Sequence, residues 1–444
     1  MMKRKKHGSR LRASIIKQYG HGLWGFLSFL VFQPSLRFFY NHHAIDTAGT
    51  QSTFNPTLTQ SYPAFNSASL TFVLKKFKKS KFKEQVVNFQ MTLNAGAKVR
   101  PTNRISQFLK SKLWGIVATA TIMGAMGASS VSAQTLTGAG ATFPYPLYAK
   151  WFDAYKKATG VSINYQAIGS GGGIKQLKAD TVDFGASDAP VSNAELKEFR
   201  GRVIHIPTTA GAVCLAYNLP GIGKGLRLDG NVIAGIYLGQ ITRWNDARIT
   251  KLNPGKRLPN LPIVTAHRSD SSGTSNIFTS YLSAVSPTWK QKVGTGKSVN
   301  WPVGLGGKGN AGVAGVIKQT PGGIGYVELA YVMQNHLSYA ALKNRSGKFI
   351  MPSIAATTAA GKGFLGAMKK DIRTSTVNAP GADSYPIAAY TYILVYADKL
   401  NTPTGKQINR FLHWALTTGQ QYAPGLLYAP LPKEVVQLNL AHLK

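Results

Sequence analysis

One segment inside the chain most restricts what this sequence can fold into: it is first basic, then apolar, and ends in small residues. Basic residues are frequent over residues 98–112, an uncharged stretch follows over residues 113–128, and small residues occupy positions 131–133. A positive region, an apolar core and an A-x-A-like end are typical of a secretory signal peptide. We predict cleavage after Ala133, so the folded part of the secreted chain begins at residue 134.

A transmembrane anchor is the alternative interpretation of residues 113–128. Gly, Ala and Thr are frequent in this stretch, Ser129 and Ser130 follow it, and no basic stop-transfer residues come directly after it. Both features favour a cleaved signal over an anchor. No cysteine lies at the expected cut, which argues against lipid attachment there.

Residues 1–90 precede this signal, although a signal of this kind works at an N-terminus. They contain an apolar run at residues 23–32 and six lysines over residues 75–83, without clean periodicity. We therefore predict that Met91 is the real start, that residues 91–133 are the signal peptide, and that residues 1–90 are a non-structured or mis-assigned upstream extension. A nucleic-acid or lipid patch is the alternative interpretation of the lysine run.

The positive charge of the chain is concentrated in this upstream part. The 444 residues contain 52 Lys+Arg against 16 Asp+Glu, a net charge of +36, and 19 of the basic residues lie in residues 1–133 with only two acids. Such a charge would ordinarily suggest nucleic acid or an anionic membrane as partner. Residues 134–444 contain no aromatic-basic motif for nucleic acid, so we expect no such partner. The single cysteine excludes a disulfide framework and a multi-cysteine metal site.

The order of helical and strand patterns in residues 134–444 predicts the fold class. The patterns alternate as helix, strand, helix and strand over residues 148–158, 161–167, 174–179 and 182–186. Such alternation favours mainly parallel sheets with helices on both faces. A length of about 310 residues suits two α/β lobes. Residues 304–323 are predicted to be a glycine-rich loop region.

Three turns place Gly, Ser and Thr just before a predicted helix, at residues 137–144, 168–173 and 268–274. Each turn offers free backbone N–H groups and hydroxyl donors, which bind anions. Helix capping alone explains a single Ser-Gly turn. Three such turns, one of them carrying Arg268, favour a shared oxyanion site.

Nucleotide-binding motifs are not completed in this chain. Residues 296–298 resemble the end of a P-loop, but the earlier glycine that the motif requires is Gln291. Residues 304–309 match G-x-G-x-x-G, yet they follow a Trp-Pro turn, and no acid appears until Glu328. Dinucleotide binding is therefore weakly supported.

Hydrolysis is the enzymatic alternative, with Ser271 or Ser272 as nucleophile beside Asp270. That chemistry requires metal ions or a paired histidine. The five histidines after residue 133 are scattered, and His267, the one near the cluster, is expected to pack at a strand end. We expect no enzyme, no cofactor and no metal. A secreted phosphatase or other phosphoester hydrolase on a related scaffold stays open as the alternative.

Five motifs together resemble the family of periplasmic phosphate-binding proteins, the receptors of phosphate ABC importers. These motifs occupy residues 137–144, 169–173, 182–190, 268–275 and 322–328, and the likeness extends over residues 135–444. The resemblance implies a two-lobed, type II-like periplasmic binding protein fold with a ligand cleft between the lobes. Lobe I would comprise residues 134–218 and 385–444, and lobe II residues 219–384. It also implies a periplasmic monomer that binds inorganic phosphate and delivers it to the transmembrane subunits of a permease.

The resemblance further implies which residues bind phosphate. They are Thr142, Phe143, Ser170, Asp188, Arg268, Ser272, Gly273 and Thr274. Asp270 would pair with the arginine and set its orientation. The family often has a second serine in the middle loop, where this chain has Gly171, so one minor contact is expected to be missing.

Asp188 is the unexpected member of this set, because a carboxylate beside an anion should repel it. We hypothesise that it accepts the proton of phosphate, which sulfate lacks. An unpaired buried polar group then discriminates between the two anions. The alternative role for Asp188 is the N-cap of a helix over residues 191–199, although Ser192 is at least as good a cap.

Overall fold

The computed structural model describes residues 69–74, 87–92 and 135–443. The chain separates into two units, residues 1–121 and 122–444. In the first unit, β1 (Ser69–Leu74) and β2 (Val87–Thr92) pair antiparallel. The predicted cleavage site, the apolar signal core and most of the predicted upstream extension lie outside the described residues. No helix among the described residues is long and apolar enough to span a membrane.

The second unit alternates strands and helices, as the sequence predicts. Its strands are β3 (Thr135–Gly140), β4 (Ser162–Ala167), β5 (Phe184–Ser187), β6 (Val203–Asn218), β7 (Arg227–Leu228), β8 (Val264–Arg268), β9 (Leu305–Gly307), β10 (Gly323–Glu328), β11 (Ser338–Tyr339), β12 (Ala341–Lys343), β13 (Phe349–Ile350) and β14 (Ala388–Tyr396). Its α-helices are α1 (Tyr145–Thr159), α2 (Ser170–Lys178), α3 (Asn193–Leu196), α4 (Gly230–Tyr237), α5 (Ala247–Leu252), α6 (Gly273–Val285), α7 (Pro287–Lys292), α8 (Gly309–Gln319), α9 (Leu329–Gln334), α10 (Ile354–Lys362), α11 (Leu365–Met368), α12 (Pro403–Leu416) and α13 (Lys433–His442).

The same arrangement of strands occurs twice in the main sheet. Within the described residues this sheet has nine strands in the order β4-β3-β5-β14-β6-β10-β8-β9, with β11 paired to β6. In one half, the parallel strands β4, β3 and β5 are followed by antiparallel β14. In the other half, the parallel strands β9, β8 and β10 are followed by antiparallel β6. The fold is therefore the two-lobed α/β fold that the sequence predicts, with each lobe built around three parallel strands.

The 16-residue strand β6 belongs to both halves of the sheet. Residues 203–212 pair with β14, and residues 213–218 pair with β10. Every residue of β6 except Asn218 is buried. The change of partner therefore falls between Ala212 and Val213. The predicted lobe limits at residues 218 and 385 remain a prediction.

The helices begin earlier than their apolar patterns alone predict. α2 starts at Ser170 rather than at residue 174, so the glycines of the second turn form its first helical turn. Gly173 is required there because a Cβ atom would lie 2.4 Å from the carbonyl oxygen of Ala139 on β3. α8 likewise occupies residues 309–319 of the predicted glycine-rich loop region, which corrects that prediction.

Candidate anion-binding site

The predicted ligands lie where parallel strands end and helices begin. Thr142 and Phe143 follow β3, Ser170 follows β4, Asp188 follows β5, and Arg268 is the last residue of β8. The carboxyl ends of parallel strands meet at one edge of a sheet, where ligands commonly bind. The helices that follow, α1, α2 and α6, turn their N-terminal N–H groups toward this edge.

Ser170 joins the two halves of the sheet. Its Oγ accepts a hydrogen bond of 3.2 Å from the backbone N–H of Asp188 and one of 3.0 Å from that of Gly273. Gly273 opens α6, so a side chain of the first half directly touches the binding loop of the second half. A Cβ atom on Gly273 would lie 2.4 Å from Ser170 Oγ, and this close approach therefore requires glycine.

One edge of the Arg268 guanidinium group pairs with the carboxylate of Asp270, and the other edge faces the hydroxyl of Thr274. Its Nε and Nη2 donate to the two carboxylate oxygens of Asp270 at 2.7 and 2.5 Å, and its Nη1 donates to Thr274 Oγ1 at 3.3 Å. The arginine side chain is 1% exposed. Burial opposes ionisation of Asp270, but the charge and hydrogen bonds of Arg268 prevail and hold the pKa of Asp270 below its ordinary value. The structure thus brings together the two residues that the resemblance pairs, and the orienting role of Asp270 stays a prediction.

Asp188 is buried among hydroxyl donors. Its Oδ1 accepts a hydrogen bond of 2.8 Å from Thr391 on β14, and its Oδ2 accepts one of 3.4 Å from Thr274. Burial raises the pKa of Asp188 to about 7, against the lowering effects of Thr391 and Arg268. The carboxyl therefore gains and loses a proton near neutral pH. Ser192 caps α3 in a capping box with Glu195, so Asp188 does not serve as that cap.

Thr142 is held by a residue that the sequence does not predict, Asn310. The backbone N–H and the side-chain amide of Asn310 donate to Thr142 Oγ1 at 3.2 and 2.9 Å, and the same amide donates to Thr274 Oγ1 at 3.2 Å. Asn310 lies in the first turn of α8, directly after the G-x-G-x-x-G motif. The motif therefore contributes to the site because α8 begins at its last glycine, Gly309. The sequence signal for Asn310 is its position directly after that glycine.

The third turn carries helix capping as well as candidate ligands. Ser272 Oγ accepts a hydrogen bond of 3.0 Å from the N–H of Ser275 and so caps α6. Ser271 packs on the middle loop, where a Cβ atom on Gly171 would lie 2.4 Å from its own Cβ. A side chain at position 171 would therefore clash with Ser271, which explains the glycine in this chain.

The predicted nucleophiles do not form a catalytic pair with histidine. His267 stacks on Trp301 with ring centroids 5.0 Å apart, as expected of a histidine that packs at a strand end. In the described part of the chain no histidine hydrogen-bonds to Ser271 or Ser272. Among the same residues no three His, Cys, Asp or Glu side chains are close enough together to hold a metal ion.

A cleft with a volume of about 520 Å³ opens beside Thr142. Its walls include Tyr145, Ile168, Lys308 and Tyr331. Behind the site, the Tyr331 hydroxyl donates to the carbonyl oxygen of Thr142 at 2.6 Å. Of the predicted ligands Thr142 lines this cleft, together with Asp270, the partner of Arg268.

Comparison with known proteins identifies relatives over most of this unit. Residues 126–418 match the family model described as PBP superfamily domain. The "Phosphate-binding protein PstS" of Pasteurella multocida is 45% identical over 318 residues, which cover 71% of this chain and 92% of that protein. The protein of the same name in Haemophilus influenzae is 45% identical over 305 residues, covering 68% of this chain and 91% of that protein. A Methanocaldococcus jannaschii protein, also named PstS, is 40% identical over 327 residues, covering 68% and 83%.

Solved structures share the fold at low sequence identity. The high-affinity periplasmic phosphate-binding protein PfluDING has a TM-score of 0.56 and 20% identity, and the match covers 69% of this chain and 93% of that one. The phosphate-binding protein from Stenotrophomonas maltophilia has a TM-score of 0.52 and 21% identity, with the same coverage of 69% and 93%. Together with the relatives of 40–45% identity, these matches show that the chain belongs to the PBP superfamily and, within it, to the PstS family of phosphate-binding proteins.

Proposed function

We propose that this protein is a periplasmic receptor that binds inorganic phosphate in the cleft between its lobes and delivers it to the membrane permease of an ABC importer. The observation that carries the proposal is a buried cluster of hydroxyl and N–H donors with one arginine, Arg268, and one carboxyl that titrates near neutral pH, Asp188. Asp270 already compensates the charge of Arg268. The site therefore holds an anion chiefly by hydrogen bonds to charged oxygens, which are strong where water is excluded.

Asp188 gives the site its preference for a protonated oxyanion. A phosphate monoester loses its second proton near pH 6. Inorganic phosphate has a hydroxyl group in place of the ester oxygen, so it still carries at least one proton at neutral pH. That proton can be donated to the carboxylate of Asp188, whereas sulfate would face the same carboxylate unpaired and with like charge. Discrimination by an unpaired buried polar group reaches on the order of 10⁴–10⁵. It should be strongest above about pH 7, where the carboxyl of Asp188 is ionised.

The proposed ligands come from both lobes. Thr142, Phe143, Ser170 and Asp188 would bind from lobe I. The ligands from lobe II would be Arg268, Ser272, Gly273 and Thr274. A phosphate that touches both lobes binds the closed form more tightly than the open form, and this difference in affinity drives closure. We also propose that lobe I comprises residues 134–218 and 385–444, that lobe II comprises residues 219–384, and that the lobes are joined along β6.

Transport requires no covalent step, and we propose that the protein is not an enzyme. The relatives are named as binding proteins. We further propose secretion by cleavage after Ala133, residence in the periplasm as a monomer, and contact with the transmembrane permease subunits and with no nucleic acid. The closed lobes would form the surface that the permease recognises.

Equilibrium titration of the secreted protein with phosphate, sulfate and a chromogenic phosphoester tests the function. We expect tight and reversible phosphate binding, far weaker sulfate binding and no hydrolysis. Sulfate binding as tight as phosphate binding would refute the role of Asp188. Turnover of the phosphoester would contradict the receptor function and support the hydrolase alternative.

A further inference from the structure

Glu328 is a buried carboxyl group next to the candidate anion-binding site. It ends β10 and is 0% exposed. Its Oε2 accepts a hydrogen bond of 2.7 Å from the N–H of Ala330 and caps α9. Its Oε1 is buried and has no hydrogen-bond partner among the described residues. An unpartnered buried oxygen costs far less free energy on a neutral carboxyl than on an ionised one.

The hydroxyl of Tyr428 links Glu328 to a predicted ligand. It lies 2.7 Å from the carbonyl oxygen of Phe143 and 3.0 Å from Oε2 of Glu328. A hydroxyl has one proton, and a carbonyl oxygen can only accept. If Tyr428 donates to Phe143, the contact with Glu328 needs a proton on the carboxyl, which is then donated to the tyrosine oxygen. A neutral Glu328 therefore satisfies both contacts, whereas an ionised one satisfies a single contact.

The surroundings of Glu328 also favour the neutral form. Burial raises the pKa of Glu328 well above its ordinary value, against hydrogen bonds from the Ala330 N–H and Tyr428. The negative charge of a second carboxyl group, Asp188, raises the pKa of Glu328 further. The thiol of Cys214 and the hydroxyl of Tyr331 also face it, and neither supplies a positive charge.

Glu328 and the start of α9 fix both residues of the first binding loop. The backbone N–H of Glu328 donates to Oδ1 of Asn310 at 3.0 Å, which turns the amide N–H group of Asn310 toward Thr142. Tyr331 holds the carbonyl of Thr142, and that carbonyl belongs to the same peptide group as the Phe143 N–H. Tyr428 holds the next carbonyl, that of Phe143. Tyr331 therefore sets the orientation of the Phe143 N–H, and Tyr428 sets that of the next peptide group along the loop.

We propose that Glu328 is a protonated carboxylic acid and, through Tyr428, a positioning residue for the Thr142–Phe143 segment. This proposal rests on the proposed phosphate function, since the segment must bind the anion for its position to matter. A loop held in its binding geometry loses less conformational freedom when the ligand arrives. A variant in which the Thr142–Phe143 segment is no longer held should therefore bind phosphate less tightly.

Infrared spectroscopy tests the proton on Glu328 without any ligand. Asp188 and Glu328 are the carboxyl groups of the described residues whose pKa is raised. In the secreted Asp188→Asn protein at about pH 8, we expect the carbonyl stretching band of a protonated carboxyl group. The band should disappear when Glu328→Gln is added. Absence of the band from the Asp188→Asn protein would overturn the proposal, even if the double variant failed to fold.

Phosphate titration of Tyr428→Phe tests the positioning role. We expect the dissociation constant to rise about tenfold, because a buried carbonyl loses its donor. Tyr385→Phe is the matched control: its hydroxyl is equally buried and donates to the carbonyl of Val213 at 3.1 Å, away from the first binding loop. The control should lose thermal stability but keep its affinity. Equal affinity losses in the two variants, or none in Tyr428→Phe, would overturn the positioning role.

The conservative substitution separates the side-chain chemistry from simple packing. Glu328→Gln keeps a neutral side chain of the same shape and should lose less affinity than Glu328→Ala. Equal losses would contradict the role of the neutral hydrogen bond. If the unmodified protein bound no phosphate, the proposed function would fail, while the infrared band would still report on the proton of Glu328.

Discussion

The ammonium group of Lys297 lies 2.6 Å from Oε1 of Glu195 and forms an ion pair between the two halves of the sheet. Glu195 lies in α3, between β5 and β6, whereas Lys297 lies between α7 and β9. The carbonyl of Lys297 also accepts the N–H of Ser272, so the pair is attached directly to the third binding loop. Glu195 is partly buried, which opposes its ionisation, yet Lys297 holds the pKa of Glu195 below its ordinary value.

Lys297→Met should therefore weaken phosphate binding by destabilising the closed form. A partly exposed ion pair contributes about 1 kcal/mol or less, so we expect a loss of affinity of roughly twofold to fivefold. The loss should appear mainly as faster phosphate release in stopped-flow measurements and should shrink at high salt. Lys157→Met is the control, because its pair with Asp153 lies within one helix. An equal effect of the control would contradict a role in closure.

Gly171→Ser should lower both stability and phosphate affinity. The new Cβ would lie 2.4 Å from the Cβ of Ser271, and overpacking of this kind costs about 1–3 kcal/mol. The clash lies between the middle and third loops, so it should oppose closure. We expect Ser271→Gly to restore affinity in the double variant, measured by titration and thermal unfolding. Unchanged phosphate affinity in Gly171→Ser alone would contradict the expected contact between the middle and third loops in the closed form.

Asp188→Asn should reduce the discrimination between phosphate and sulfate. The amide carries no negative charge and can donate to either anion, so sulfate is no longer repelled. Affinity for phosphate should fall and that for sulfate should rise, which competition titration measures as a change in the ratio of the two constants. Thr357→Val, which removes a buried hydroxyl elsewhere in the fold, is a suitable control. An unchanged ratio in Asp188→Asn would exclude Asp188 as the acceptor of the phosphate proton.

Stability of the phosphate-free protein should fall as pH rises through the range in which Asp188 ionises. Its ordinary pKa is 3.8 and its pKa in the folded protein is about 7. Between these values the folded protein keeps a proton that the unfolded chain has released, so the contribution is complete below about pH 4 and lost by about pH 7. Its upper limit is on the order of 4 kcal/mol.

Chemical unfolding at several pH values measures this contribution as a difference between the unmodified protein and Asp188→Asn. The difference removes the effects of other titrating groups, such as His205, whose pKa burial lowers to about 4. The variant should show the smaller loss of stability from pH 5 to pH 8. Identical pH profiles would mean that Asp188 is ionised throughout.

Local patterns predict the parallel strands, the helices that follow them and the loops between them. Thr142, Ser170, Asp188 and Arg268 meet because the carboxyl ends of neighbouring parallel strands share an edge. The local patterns therefore predict the fold class and the turns before the helices, whereas the choice of these four residues as candidate ligands rests on the resemblance to the phosphate-binding family.

The residues that support these ligands come from distant parts of the chain. Thr391 reaches Asp188 from β14 because of the register in which β14 pairs antiparallel with β5, where Tyr392 lies opposite Ser187. Tyr428 reaches Phe143 from a turn near the C-terminus, 285 residues away in sequence. No local pattern encodes either contact, since a shift of one residue in register would turn Thr391 to the other face of the sheet.

The place of β14 in the sheet also leads us to expect a particular order of folding. β14 lies between β5 and β6, yet it is made of residues 388–396. The first half of the sheet therefore stays incomplete until nearly the whole chain has been synthesised. Strand pairing over such separations is slow, because loop closure precedes the stabilising contacts. We therefore expect the first half of the sheet to become stable only after residues 388–396 have joined it, however early its other strands are made.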